Sequence, residues 1–282
     1  MSEDRAFARA PSAVAFMLRA VAGGLVARRT AAPSSASWTS PRVDARHAAT
    51  FGALTGLDAS SILYPQVLSF RLQMAVLTSP RFPRPIWRAL QVRVAMAARR
   101  AWRADAPLRF DVRATTPRPV DKGEEIDLVT TLRSEGDVAW EGTTTFLYRR
   151  RVAGVAGVAP AAPRAPDVRG VRVDAWTTPA RDRWAFGRLT GDFNGLHLWD
   201  SYARAMGFPR AFAHPPRVAG ACLARLRLPR GAQRLELWWK GPVPYGHDVQ
   251  LTAERAPGRV AFGLAPARAP RPLIVGVWTD GL

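Results

Sequence analysis

The apolar positions of this chain fall into two blocks with the same order: a helical stripe, then runs in which polar and apolar residues alternate. In the first block Val67, Phe70, Met74 and Leu77 recur at helical spacing, and Leu68, Leu72 and Val76 widen the stripe. A largely buried helix over 66–77 is therefore predicted, stopped by Pro80, Pro83 and Pro85. Ahead of it, Asp44 stands as the N-cap of a helix that runs to Leu54 and ends at Gly56. Strand-like runs follow at 90–98, 108–115, 125–134 and 138–150, the last two joined by a hairpin at Glu135-Gly136-Asp137.

The second block repeats the order. A strand over 171–176 and a helical stretch over 181–186 lead to a loop around Asp192 and a helix capped by Asp200 that ends at Gly207. A second apolar helix is expected over 216–228, with Val218, Ala219, Cys222, Leu223 and Leu226 inward and Arg217, Arg225 and Arg227 on other faces. Strands at 234–240, 249–255, 259–264 and 273–279 close the block. Each block thus predicts an antiparallel sheet wrapped on one buried helix, an α+β fold in tandem. The expected domains are 41–151 and 169–282, joined by a linker over 152–168 that is rich in Ala, Gly, Val and Pro. Residues 1–40 read as a separate segment: an amphipathic helix over 12–27, too short and too interrupted by Arg19 to span a bilayer, then a flexible Ala/Ser/Pro connector over 31–41.

Composition narrows the function. At 282 residues and 48% hydrophobic content the chain can bury real cores. The 41 basic against 22 acidic residues give +19, yet only Lys122 and Lys240 are lysines. An arginine excess beside so much Ala, Pro and Gly fits a codon bias, and no zinc spacing, basic dimer helix or aromatic RNA-binding motif accompanies it, so nucleic acid is not the expected partner. A basic surface does favour anionic ligands. Cys222, the only cysteine, excludes an internal disulfide and a cysteine-based metal site. A reducing, cytoplasmic setting is expected, with no metal.

The candidate chemistry lies in Leu189-Thr190-Gly191-Asp192-Phe193-Asn194-Gly195-Leu196-His197. Asp192, Asn194 and His197 can meet in a tight loop with Gly191 and Gly195 beside them. A carboxylate and an imidazole that share one water can take its proton and return it, which is general acid–base chemistry. The bland alternative is that Asp and Asn in a turn serve as caps. His47, the one histidine of the first block, is expected on a helix surface.

Gly191-Asp192-Phe193-Asn194-Gly195-Leu196-His197, followed by Tyr202 to Phe208 and Ala213-His214, resembles the signature of the MaoC-like, (R)-specific enoyl-CoA hydratase family. Lys240-Gly241-Pro242-Val243-Pro244-Tyr245-Gly246 is similar to a later segment of that family, so the resemblance spans about 182–251. It implies a double hot-dog fold and a hydro-lyase acting on 2-enoyl or 3-hydroxyacyl thioesters of coenzyme A or acyl-carrier protein, with no cofactor of its own. Asp192 and His197, with Asn194, would hold and activate the water. The chain would act as a monomeric pseudo-dimer or a homodimer, the first hot-dog shaping an acyl pocket with Tyr64, Phe70 and Met74.

The chain departs from the pattern at two places. Gly195 stands where the family has Pro, and Pro215-Pro216 follow His214 where the family has a Gly whose N–H faces the thioester oxygen. Proline has no N–H, and loss of one such donor costs about 10²–10³ in rate. The expected substitutes are Arg217, through backbone or guanidinium, and Val218, with His214 beside them at the substrate. The alternative is a non-catalytic hot-dog that binds acyl-CoA or serves as a partner subunit.

Overall fold

The computed structural model describes residues 3–22, 34–80, 82–149, 163–269 and 271–281. In chain order the elements are β1 (Glu3–Phe7), α1 (Ala13–Ala22), β2 (Ser34–Ser40), α2 (Ala45–Thr55), α3 (Tyr64–Leu68), α4 (Phe70–Leu77), β3 (Leu90–Ala98), β4 (Leu108–Ala114), β5 (Arg118–Val120), β6 (Gly123–Ser134) and β7 (Asp137–Arg149). Then come β8 (Val171–Thr177), α5 (Arg183–Thr190), α6 (Gly195–Leu198), α7 (Asp200–Ala205), α8 (Pro215–Leu226), β9 (Gln233–Trp239), β10 (Asp248–Ala256), β11 (Arg259–Pro266) and β12 (Ile274–Asp280). They form two units, Met1–Val43 with Leu68–Arg164 and Asp44–Val67 with Ala165–Leu282. The fold is a double hot-dog.

In the first unit the strand order is β1-β2-β4-β6-β7-β3, with β5 added on β6. The pairs are antiparallel except β1 with β2. Alternation along β4 turns Leu108, Phe110, Val112 and Ala114 inward, and α4 packs on β2 and β4. The hairpin between β6 and β7 turns at Glu135 and Gly136, both at positive φ, as a two-residue connection requires.

Two expectations fail in this unit. Residues 34–40, taken as part of a flexible connector, form a strand because every second residue faces in: Ser34, Ala36, Trp38 and Ser40 are buried, and Trp38 stacks on Phe110 at 5.7 Å. The helix expected over 66–77 is two helices broken at Ser69, beside the point where the chain passes from one unit to the other. Helix α1 occupies part of the predicted 12–27 segment; 23–27 and most of the 152–168 linker lie outside the described residues. Among the described residues no helix is long and apolar enough to cross a membrane.

In the second unit β8-β10-β11-β12-β9 form an antiparallel sheet. Helix α8 buries Val218, Ala219, Cys222, Leu223 and Leu226, as its periodicity predicts. Each buried Leu or Val contributes roughly 1.5–3 kcal/mol relative to exposure. Arg225 ties α8 to β8 through Asp174 at 2.7 Å and lies over the Trp176 ring at 4.0 Å. Residues 44–67, assigned from sequence to the first hot-dog, belong here: α2 packs on α5 and α8. The reason is close helix contact. A Cβ on Gly220 would meet Thr55 at 2.7 Å, so only glycine lets α2 approach this near.

Candidate active site

Helix α5 ends at Gly191, whose φ of 86° reverses the chain into the loop. Three bonds then fix Asp192. Its N–H donates to Thr190 Oγ1 at 3.0 Å, its carbonyl accepts from His214 Nε2 at 3.1 Å, and its Oδ1 accepts from the Asn194 N–H at 3.2 Å. Asp192 Oδ2 faces His197 Nε2 at 3.8 Å. The His197 ring is buried and held from behind, its Nδ1 at 3.0 Å from the Phe212 carbonyl. A carbonyl can only accept, so Nδ1 carries the proton and Nε2 presents a lone pair toward Asp192.

His47 is not a bystander on a helix surface. Its ring bridges the Tyr64 hydroxyl at 3.1 Å and the Leu189 carbonyl at 3.2 Å, bracing the last turn of α5 just before the loop. Tyr64 is itself core, its ring edge-on to Phe51 at 5.0 Å, and burial pushes its phenol up. Tyr64 groups with the second unit while Phe70 and Met74 group with the first, so the three proposed lining residues do not share one hot-dog.

Several assigned roles change. Asn194 is exposed and its Oδ1 accepts from the Leu196 N–H at 3.1 Å as the N-cap of α6, so the residue also serves the loop as a cap. His214 donates its one N–H to Asp192, leaving Nδ1 as an acceptor that cannot stabilise an oxyanion. Burial, and then the His197 ring 4.1 Å away, lower His214 from 6.5 to about 3, so it stays neutral. The backbone N–H groups of Arg217 and Val218 both point at the His214 carbonyl, at 3.0 and 3.2 Å. With Pro215 and Pro216 before them, the start of α8 offers no spare backbone donor. Asp200 does not cap α7 through its side chain; it accepts from the Ala211 N–H at 3.0 Å.

Arg217, off the apolar stripe of α8 and expected as a donor to the substrate oxygen, is buried. Its Nη2 donates to the Arg181 carbonyl at 2.9 Å, Nη1 completes no well-aligned bond, the guanidinium meets the Tyr245 hydroxyl only loosely, and burial lowers its pKa. Gly195 is also explained: a Cβ there would meet the Tyr202 ring at 2.7 Å. Asp192, His197 and His214 each offer a metal-ligand atom within 4.8 Å of the others. The two imidazole rings are tilted by 30° with centroids 4.1 Å apart, and each commits one nitrogen to a backbone carbonyl, His197 Nδ1 to Phe212 and His214 Nε2 to Asp192.

A hot-dog whose loop sets a carboxylate against an imidazole of fixed tautomer defines a hydratase or dehydratase of the acyl-thioester class. A curated relative, 3-hydroxyacyl-thioester dehydratase X of Mycobacterium tuberculosis, is 30% identical over 222 residues, covering 77% of this chain and 79% of that one. The chain belongs to the MaoC-like hydratase/dehydratase family. The crystal structure of HtdX of Mycobacterium tuberculosis matches the fold with a TM-score of 0.73 at 24% identity, over 87% of this chain and 100% of that one. A MaoC-like dehydratase from Phytophthora capsici matches with a TM-score of 0.71 at 14% identity, over 89% and 95%. No family model matches the chain.

Proposed function

We propose that this hydro-lyase adds water across the 2,3 double bond of an acyl thioester, or removes it from the (R)-3-hydroxy compound, with Asp192 and His197 as the acid–base pair. The observation that carries this reading is the 3.8 Å between His197 Nε2 and Asp192 Oδ2, too long for a direct hydrogen bond and right for two groups that hold one water between them. In hydration the water oxygen bonds to C3 as the π bond breaks and negative charge moves to the thioester oxygen. His197 Nε2 takes one proton from the water, and the pair returns a proton to C2. The fixed tautomer presents Nε2 unprotonated, ready to receive. The reaction moves only protons and water, so the thioester carrier, coenzyme A or acyl-carrier protein, is all it asks of a partner.

Purified protein with crotonyl-, octenoyl- and decenoyl-CoA should consume the conjugated-enoyl absorbance, and chiral analysis should return the (R)-3-hydroxyacyl product. The absent backbone donors at Pro215 and Pro216 favour a second reading, a hot-dog that binds acyl-CoA without turning it over. Binding of all three thioesters with no turnover would replace the first reading by the second.

A further inference from the structure

An oxyanion forms on the thioester oxygen, and the start of α8 has no backbone N–H left to meet it. The donors must come from elsewhere in the second unit, and the fold brings two side chains there. The segment Ala211–Ala213 carries the Phe212 carbonyl that fixes the His197 tautomer. It runs antiparallel to Val243–Tyr245: Phe212 bridges to Pro244, Ala213 N–H donates to the Val243 carbonyl at 2.9 Å, and Tyr245 N–H donates to the Ala211 carbonyl at 3.3 Å. Tyr245 thus sits one short strand away from the acid–base pair; burial raises its phenol pKa, Arg217 and Arg183 oppose the rise, and Asp192 adds a smaller push upward.

Tyr245 is 3% exposed and Arg217 7%. The Arg217 guanidinium and the Tyr245 hydroxyl meet each other at the loose end of hydrogen bonding, and neither Nη1 nor the hydroxyl completes a well-aligned bond. Buried polar atoms are rarely left so poorly paired, and an Arg–Tyr couple with donor capacity to spare marks a place where a ligand oxygen completes it. The groups around them are compatible with that role. Arg183 lies over the Tyr245 ring at 4.6 Å, Arg217 Nη2 is anchored on the Arg181 carbonyl, and Arg210 Nη1 donates to the Tyr245 carbonyl at 3.2 Å. The surroundings are cationic, as an anion requires.

We propose that Tyr245 is a further catalytic residue, its hydroxyl and Arg217 Nη1 together forming a side-chain oxyanion site for the thioester oxygen in place of the missing helix N–H. The proposal rests on the hydro-lyase reading above. Both groups stay protonated throughout and donate hydrogen bonds to the oxygen as charge builds there, so the proton balance of the acid–base pair is unchanged.

The test is steady-state kinetics on the full chain with crotonyl-CoA for wild type, Tyr245→Phe, Arg217→Ala and Asp192→Asn, with thermal melting as the fold control. Removing a donor used mainly in the transition state should lower kcat in Tyr245→Phe by about 10²–10³ while KM changes by less than about threefold. Adding Pro215→Gly, which restores a backbone donor, should recover part of that loss. Difference infrared spectra of bound butyryl-CoA should show a thioester carbonyl shifted to lower frequency in wild type and less so in Tyr245→Phe, a change that a packing role would not produce. An inert Asp192→Asn beside a fully active Tyr245→Phe overturns this inference and leaves the function standing. An Arg217→Ala variant that raises KM at unchanged kcat would make Arg217 a phosphate anchor and overturn it too. Wild-type inactivity, or a fully active Asp192→Asn, overturns the function itself.

Discussion

Replacing Asp192 with Asn keeps every bond that shapes the loop and removes only its charge. The N–H to Thr190, the carbonyl accepting from His214 and an oxygen at Oδ1 accepting from Asn194 all survive the change. What changes is the group at Oδ2, 3.8 Å from His197 Nε2, which becomes an NH2. Because His197 Nδ1 donates to Phe212, Nε2 is an acceptor, and the new amide sets a donor opposite it, bonded through a bridging water. The lone pair that should receive the proton is then occupied. Loss of positioned acid–base assistance is worth about 10²–10⁴ in rate, or about 3–5 kcal/mol of barrier. Initial rates of enoyl-CoA consumption should fall by that factor while the melting temperature and acyl-CoA affinity hold. A variant that melts as wild type and turns over within about threefold of it would show that Asp192 is only a capping residue.

His214 should make the fold acid-sensitive. Its folded pKa, about 3, lies below the unfolded 6.5, so between those values the unfolded chain binds a proton that the folded one refuses. Stability therefore falls as pH drops through the window, by about 1.4 kcal/mol per pH unit from this group. His214→Gln, which can still donate to the Asp192 carbonyl, should flatten the slope in denaturant titrations; an unaltered slope would mean that the histidine is protonated in the native state. Gly195→Ala should cost about 1–3 kcal/mol through the Tyr202 ring, and the cost should vanish in a Tyr202→Ala background. Equal losses in both backgrounds would place the strain elsewhere.

The loop that brings Asp192 up to His197 is legible in the sequence because it is local. Asp192 and His197 are five residues apart, and Gly191 and Asn194 are the residue types that a helix end and an N-cap call for. The partners that set its chemistry are not local. The Phe212 carbonyl reaches His197 from fifteen residues on, and His47 reaches the Leu189 carbonyl across 142; a backbone carbonyl has no signature in a list of side chains. Arg217 falls off the apolar stripe of α8 in the periodicity, and neither periodicity nor composition announces a buried guanidinium with a tyrosine beside it. Strand β2 is hidden for a different reason: Ser and Ala are poor strand formers, and only the pairing with β4 and the Trp38–Phe110 stack reveal that their small side chains face a core. Sheet strands with strong alternation, β3 above all, fall where the pattern places them.

The allotment of residues 44–67 to the second unit bears on how this polypeptide can be divided. The chain changes unit after Val43, Val67 and Arg164, so no single cut yields two complete hot-dogs. A fragment starting at Ala165 would lack α2, leaving Gly220 on α8 uncovered and the Leu189 carbonyl without His47. The amino-terminal fragment would carry α2 without α5 and α8, the helices on which it packs. A cut at the linker therefore severs the second unit itself rather than parting two modules.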